Sequence, residues 1–272
     1  MIASPETVVE RVAAASGRGE PLADLAAAAA RAAGAEGVGA VVAATFSNPE
    51  RFPSLAVRVA ASLGLPPSTP ALDVQMACSA YPYALYLATR LAADTGRKAL
   101  VVDGDVQSPL VDASDHATGS LFSDACTATV VSSNPKGGSR FDFLSRLDDA
   151  LTCSAAGPIR MDGFRVFSFV ATEVSAFLRG FLADVPPPDF FAPHQAQPYM
   201  VRRLAEAVGM KEKLLVVPDE LKNPGSCSVP FALALNADRL AGARVLVAGF
   251  GAGFSASAGL VSVSPDFEGR ML

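Results

Sequence analysis

The sequence predicts an α/β protein built from two similar β-α-β-α-β halves. Three observations carry this. Hydrophobic residues make up 50% of the 272-residue chain and charged residues 18%, which supports a large core and excludes global disorder. Short runs of small and β-branched residues alternate with helix-length segments, several of them closed by glycine. The alternation also recurs: Gly64 is matched by Gly209, Ala84-Leu85 by Ala232-Leu233 and Val101 by Leu246, at a nearly constant offset. A repeat of that size argues for internal duplication. We expect one half over residues 1–137 and the other over 138–272.

Met1-Ile2-Ala3-Ser4-Pro5-Glu6 has neither a basic nor an apolar stretch, so it does not read as a secretory signal. Alanine-rich Asp24 to Ala35 favours a helix. Val38 to Phe46 reads as a buried strand, Ser47 to Pro53 as a loop, and Ser54 to Leu63 as a helix capped at Gly64. A proline-rich connector leads to a short strand at Ala71 to Val74. Tyr81 to Ala93 is helical, with Pro82 in the first turn, and Ala99 to Val102 is a strand. The second half repeats the order. Strand Asp189 to Ala192 leads into Pro193-His194-Gln195, helix Tyr199 to Val208 is closed by Gly209, and Leu214 to Val217 is a strand. Asn223-Pro224-Gly225 is a loop, Val229 to Leu240 a helix and Arg244 to Ala248 a strand. Between the halves, Ser132 to Asp162 reads as irregular, and Met161 to Leu182 as one amphipathic helix.

The formal net charge is −5 with no basic stripe, which argues against nucleic-acid binding through phosphate neutralisation. Val245 to Pro265 is uncharged and long enough to span a membrane. Its four glycines and four serines favour instead two short buried strands joined by a tight turn. Cys78, Cys126, Cys153 and Cys227 form no Cys-x-x-Cys pair. This predicts no metal site, no disulfide framework and a reducing, cytoplasmic compartment. His116 and His194 are the only histidines.

Cys78 follows a predicted strand and precedes a predicted helix, whose positive end would favour a thiolate. The plain alternative is a structural buried cysteine. His194 ends the matching strand of the second half, and Asn223 lies in the loop before the next helix. Each alone reads as a core histidine or a turn residue. Together they are more informative, because strand C-termini of an open α/β sheet converge on one crevice.

These residues lie in motifs that resemble the β-ketoacyl-acyl-carrier-protein synthase III family of the thiolase superfamily. Ala71-Leu72-Asp73-Val74-Gln75-Met76-Ala77-Cys78-Ser79-Ala80 resembles its nucleophile motif, and Phe122-Ser123-Asp124-Ala125 its F-G-D-G segment. Met161-Asp162-Gly163 resembles its M-x-G helix start, and Pro193-His194-Gln195-Ala196 matches its P-H-Q-A motif. Asn223 with Ser228-Val229-Pro230 resembles its N-T-S-A-A-S-V-P loop, and Phe250 to Phe254 its glycine-rich turn. The resemblance implies a five-layered αβαβα fold, a dimer and an acyl carrier protein as partner. It implies a Cys78-His194-Asn223 centre with Cys78 as acylated nucleophile. The backbone N–H groups of Cys78 and Ala252 would form the oxyanion hole, and Phe122, Met161 and Phe254 an acyl pocket, with the loop around Phe52 reaching in across a dimer interface. Substrates would be thioesters of coenzyme A or phosphopantetheine, with no resident cofactor.

The chain also departs from the family pattern. Its first strand and the loop after it have no recognisable counterpart. His116 and Tyr199 stand where the family has arginines, and Leu221-Lys222 where it has His-Gly. Lys222 would contact a pantetheine or carrier acid. The expected function is a condensing enzyme joining a Cys78-bound acyl group to a malonyl-type thioester, in a specialised fatty-acid or polyketide pathway. Two alternatives are an acyltransferase acting on a hydroxyl or amine, and a non-catalytic subunit of a ketosynthase heterodimer.

Overall fold

The computed structural model describes residues 1–116, 118–154 and 157–272. Its elements in chain order are β1 (Ile2–Ser16), α1 (Leu22–Ala33), β2 (Val38–Ala44), α2 (Leu55–Ser62), β3 (Ala71–Val74), α3 (Ala80–Thr95), β4 (Lys98–Asp105) and β5 (Ala125–Ser145). There follow β6 (Leu151–Thr152), β7 (Arg160–Met161), α4 (Gly163–Phe169), α5 (Ser175–Ala183), β8 (Phe190–Pro193), α6 (Pro198–Ala207), α7 (Ser228–Leu235), β9 (Arg244–Gly251) and β10 (Ser255–Met271). The main strands run in the order β3-β2-β4-β5-β1-β10-β9-β8.

Side-chain alternation resolves this ribbon into layers. In β2, Ala40, Val42 and Ala44 face one core while Val41 and Ala43 face another. In β9, Val245 and Val247 face the first core while Leu246, Ala248 and Phe250 face a third. The first core holds α3 and α7, the second α1 and α2, and the third α4, α5 and α6. Because successive strand residues point to opposite faces, both halves of the sheet are covered on both sides. The order helix, sheet, helix, sheet, helix matches the expected five layers.

The duplication is visible in the pairings. β2 lies parallel to β3 and β4, and β4 is antiparallel to β5. Likewise β8 is parallel to β9, and β9 antiparallel to β10. The partner expected beside β8 is reduced: Leu214 makes a single bridge to Phe191, so no strand spans Leu214 to Val217. The expected hairpin in Val245 to Pro265 forms as β9 and β10. The helix expected from Met161 is continuous from Gly163 to Ala183. Its 21 residues hold an 18-residue window of mean hydropathy 1.4, long and apolar enough to cross a membrane. Here Val166, Phe169, Val174, Leu178 and Phe181 are buried in the third core.

Two expectations are corrected. The N-terminus does contribute a strand: β1 sits inside the sheet, antiparallel to β5 and parallel to β10. Its acidic residues masked it, but Glu6 accepts hydrogen bonds from Asn134 and Ser262, and Glu10 pairs with Lys98. Ser132 to Asp162 is not irregular at its start. β5 runs on to Ser145, through Asn134-Pro135-Lys136-Gly137-Gly138. A Cβ at Gly137 would collide with Glu6, so this glycine gives room to a neighbouring strand. The division between residues 137 and 138 falls inside this strand.

Candidate functional site

β3 delivers the chain to a tight turn. Ala77 takes φ 42°, Cys78 sits in a single 3₁₀ turn (Ala77–Ser79), and α3 begins at Ala80. The β9–β10 hairpin holds the turn from the other half. The Ser79 and Ser255 hydroxyls lie 2.7 Å apart, and Ser257 Oγ donates to the Ser79 carbonyl at 2.8 Å. Close approach is possible because β9 carries glycines there. A Cβ on Gly249 would lie 2.6 Å from Ser79 Cα, and one on Gly251 3.2 Å from Cys78 Sγ.

Cys78 is buried. Burial, reinforced by the Asp105 carboxylate, pushes its thiol up to about 12, against the pull of the Ala252 and Cys78 backbone N–H groups. The thiol is therefore raised and not lowered as expected: desolvation outweighs the pull of these N–H groups. Those two N–H groups nonetheless act on the sulfur, as an oxyanion hole at these residues requires.

His194 follows the last residue of β8. Its N–H donates to the Ala248 carbonyl at 2.7 Å, and Nδ1 lies 2.9 Å from Ser228 Oγ. The ring meets Phe250 edge-on, with centroids 5.4 Å apart. Burial lowers its pKa to about 4, against the opposing effect of the Gly225 backbone, so the imidazole is neutral at pH 7. Asn223 bridges to Phe122: its N–H donates to Leu121 O at 3.0 Å, and its carbonyl accepts from Ser123 N at 3.1 Å. Its Oδ1 accepts from Gly225 N at 3.0 Å, which leaves the amide NH₂ for another partner. Gly225 has φ 77°, and a Cβ there would be 3.3 Å from Asp105 Oδ2. Asp105 is buried, anchored by Thr45, Phe46 and Ser47, and desolvation raises its pKa to about 6.

Two cavities meet at Cys78. One, of about 300 Å³, is lined by Phe46, Met76, Gln107, Phe122, Leu151, Cys153, Ile159 and Ala252. The other, of about 290 Å³, is lined by Phe122, Met161, Val166, Phe167, His194, Met200, Asn223 and Gly251. Cys78, His194 and Asn223 thus share one chamber, while Ala252 lines the other. Phe122 borders both cavities. Met161 belongs to the His194 chamber.

One pocket assignment is corrected. Phe254 lines neither cavity; it is buried, stacks on Phe169 with centroids 4.3 Å apart, and lies under the Arg146 guanidinium. Its backbone neighbours Gly253 and Ser255 reach the cavity instead. Phe52 is 85% exposed and borders neither. Lys222 lines a third cavity of about 430 Å³, with Arg202, Gln197 and Asp219. Tyr199, half exposed, stacks on Phe167 with centroids 6.2 Å apart. Sequence reasoning missed Leu151 and Ile159, which lie in the segment read as irregular. It also missed Phe167 as a lining residue, because the helical stripe read as core. Among the described residues, no cluster of three or more His, Cys, Asp or Glu could hold a metal ion.

Phe254→Leu should lower stability by about 1–2 kcal/mol through lost stacking and burial, leaving acyl-chain preference unchanged. Denaturant titration beside a chain-length series checks this; a shifted preference would return Phe254 to the pocket.

The comparisons with known proteins agree with this geometry. The sequence model for 3-oxoacyl-[acyl-carrier-protein] synthase III matches residues 72–146, and that for its C-terminal part matches residues 186–263. A β-ketoacyl-[acyl-carrier-protein] synthase III from Salmonella arizonae is 33% identical over 244 residues, covering 82% of this chain and 77% of that protein. The Neorickettsia sennetsu enzyme of the same name is 29% identical over 230 residues, covering 80% and 74%. Among solved structures, a 3-oxoacyl-(acyl-carrier protein) synthase from Burkholderia xenovorans superposes with a TM-score of 0.90 at 22% identity, covering 100% of this chain and 98% of that one. The Pseudomonas aeruginosa synthase III gives 0.84 at 25% identity, covering 95% and 98%. With both halves of the family pattern matched and a relative 33% identical over most of its length, the chain belongs to the 3-oxoacyl-[acyl-carrier-protein] synthase III family.

Proposed function

We propose that Cys78, His194 and Asn223 are the reacting groups of this condensing enzyme, with the Cys78 and Ala252 N–H groups as oxyanion hole. The observation that carries this is the placement of one sulfur between two cavities, with the imidazole and carboxamide confined to one of them. Cys78 attacks an acyl thioester; its S–C bond forms, the carrier's S–C bond breaks, and the thiol proton ends on the departing sulfur. The acyl chain occupies the cavity with Phe122, Leu151 and Ile159. A malonyl-type thioester then enters the His194 chamber and loses carbon dioxide. His194 and Asn223 donate hydrogen bonds to its carbonyl and stabilise the enolate, whose carbon attacks the acyl group and releases Cys78. A buried imidazole with a pKa near 4 is a weak base at pH 7. That favours hydrogen-bond donation over proton abstraction from a hydroxyl, and hence condensation over simple acyl transfer.

The donor is an acyl carrier protein or coenzyme A thioester, and no resident cofactor takes part. Lys222 and Arg202, beside the His194 chamber, would meet the anionic part of a phosphopantetheine arm. Phe52, exposed on a loop, would complete the acyl pocket of a second, identical or related subunit. The two halves, 1–137 and 138–272, supply the thiol and the His-Asn pair respectively. Four free cysteines, three of them buried, fit a reducing cytoplasmic compartment, and the unusual phosphate-contact positions fit a specialised fatty-acid or polyketide pathway.

Intact-mass analysis tests this. Incubation with a panel of acyl thioesters should add one acyl mass to the protein. Subsequent malonyl thioester should remove it and yield a product two carbons longer, with carbon dioxide. Unchanged chain length in a new ester or amide would overturn condensation.

A further inference from the structure

We propose that Gln107 is a positioning residue that holds Asn223 for the decarboxylative step, an inference that rests on the function proposed above. Gln107 lies just beyond β4 and is 1% exposed. Its main-chain N–H donates to Asp124 Oδ1 at 2.6 Å, fixing the residue in place. Its side-chain nitrogen donates to two carbonyls at once, Ser123 O at 2.8 Å and Asn223 O at 3.0 Å. Those carbonyls belong to different halves of the duplicated chain and to the two segments that carry Phe122 and Asn223. Both protons of one amide are used to tie these segments together.

The geometry demands this residue type. Two acceptors converge on one nitrogen, so the group must carry two N–H bonds. Methionine would fill the space but leave Asn223 O with the Ser123 N–H alone and the Ser123 carbonyl without this donor. Glutamate would place an oxygen against two oxygens. Buried acceptors that lose a partner shift to regain one, and one of the two acceptors lost here is the Asn223 carbonyl.

Gln107 also stands in the wall between the cavities. It lines the acyl cavity beside Cys78 and Phe122, while the residue it holds lines the other. An acyl chain entering the first cavity therefore packs against the side chain that holds the Asn223 main chain. The effect of losing Gln107 should fall on the step that uses Asn223.

The test separates the two half-reactions in Gln107→Met and Gln107→Glu. Acylation of Cys78 is followed by intact mass, and condensation by single turnover of the pre-acylated protein with a malonyl thioester. The ratio of condensation to acylation rates should fall about 10-fold in Gln107→Met, and further in Gln107→Glu. In an Asn223→Ala background, Gln107→Met should lower that ratio less than 3-fold, because residues acting through one another are not additive. A ratio unchanged in both variants, or fully additive losses with Asn223→Ala, overturns the inference. A purely structural role would lower the melting temperature and both rates together. Failure of the underlying function would appear separately, as wild-type protein that takes up no acyl group.

Discussion

Cys78→Ala should take up no acyl group from any thioester, and condensation should fall by roughly 10⁴-fold or more, since the covalent intermediate cannot form. The experiment needs one precaution that the structure supplies. Cys153 lines the same acyl cavity and is exposed, so it is the thiol that would accept stray label. The clean comparison is therefore Cys153→Ser against Cys153→Ser with Cys78→Ala, with the modified peptide located by mass. An acyl group retained with catalysis in the double variant would remove Cys78 as nucleophile. The pH dependence is a further signature. With burial and Asp105 holding the thiol near 12, the thiolate is scarce at neutral pH. Alkylation of Cys78 by a small neutral electrophile should keep accelerating from pH 7 to pH 10. A plateau near pH 8 would mean a thiol acidified below its ordinary value and would contradict the effect of its burial.

The thiol also illustrates what the sequence could and could not reveal. The order strand, small residues, cysteine, helix is local, and it placed Cys78 correctly on its turn. What raises its pKa is not local: burial comes first, and the Asp105 carboxylate that reinforces it comes from β4 and is positioned by Thr45, Phe46 and Ser47. Its effect on a thiol across the core has no sequence signature. The same contrast holds for the fold. β2, β9 and the hairpin partner β10 announce themselves by buried apolar runs with glycine breaks. β1 does not, because its glutamates are answered by Asn134 on β5, Ser262 on β10 and Lys98 on β4. Phe254 was misread for a related reason. A motif fixes the backbone around Gly253, but which face its neighbour's ring takes depends on Phe169 and Arg146, which lie far away in sequence.

His194→Ala should cut condensation of pre-acylated protein by 10²- to 10³-fold, about 3–4 kcal/mol in the barrier, the usual cost of losing one donor to a developing oxyanion. Acylation of Cys78 should suffer much less, because in the proposed mechanism its oxyanion is served by the Cys78 and Ala252 N–H groups. Equal loss in both half-reactions would assign His194 to the thiol instead of the enolate. The same residue links function to acid stability. Folding lowers its pKa from 6.5 to about 4, so the native state favours the neutral ring. The stability this represents is present above pH 6.5 and lost as pH falls towards 4, amounting to about 2–3 kcal/mol at pH 4.5. Asp105 acts in the opposite direction: raised from 3.8 to about 6, it favours the fold below pH 4 and weakens it as pH rises through 6. The wild-type profile therefore conceals both slopes, and removing one exposes the other. Measured by denaturant unfolding, the stability gap between wild type and His194→Gln should narrow by about 2–3 kcal/mol between pH 7.5 and pH 4.5. A gap that does not change with pH would show that the imidazole is already free to charge in the folded protein, and would end its description as a neutral donor.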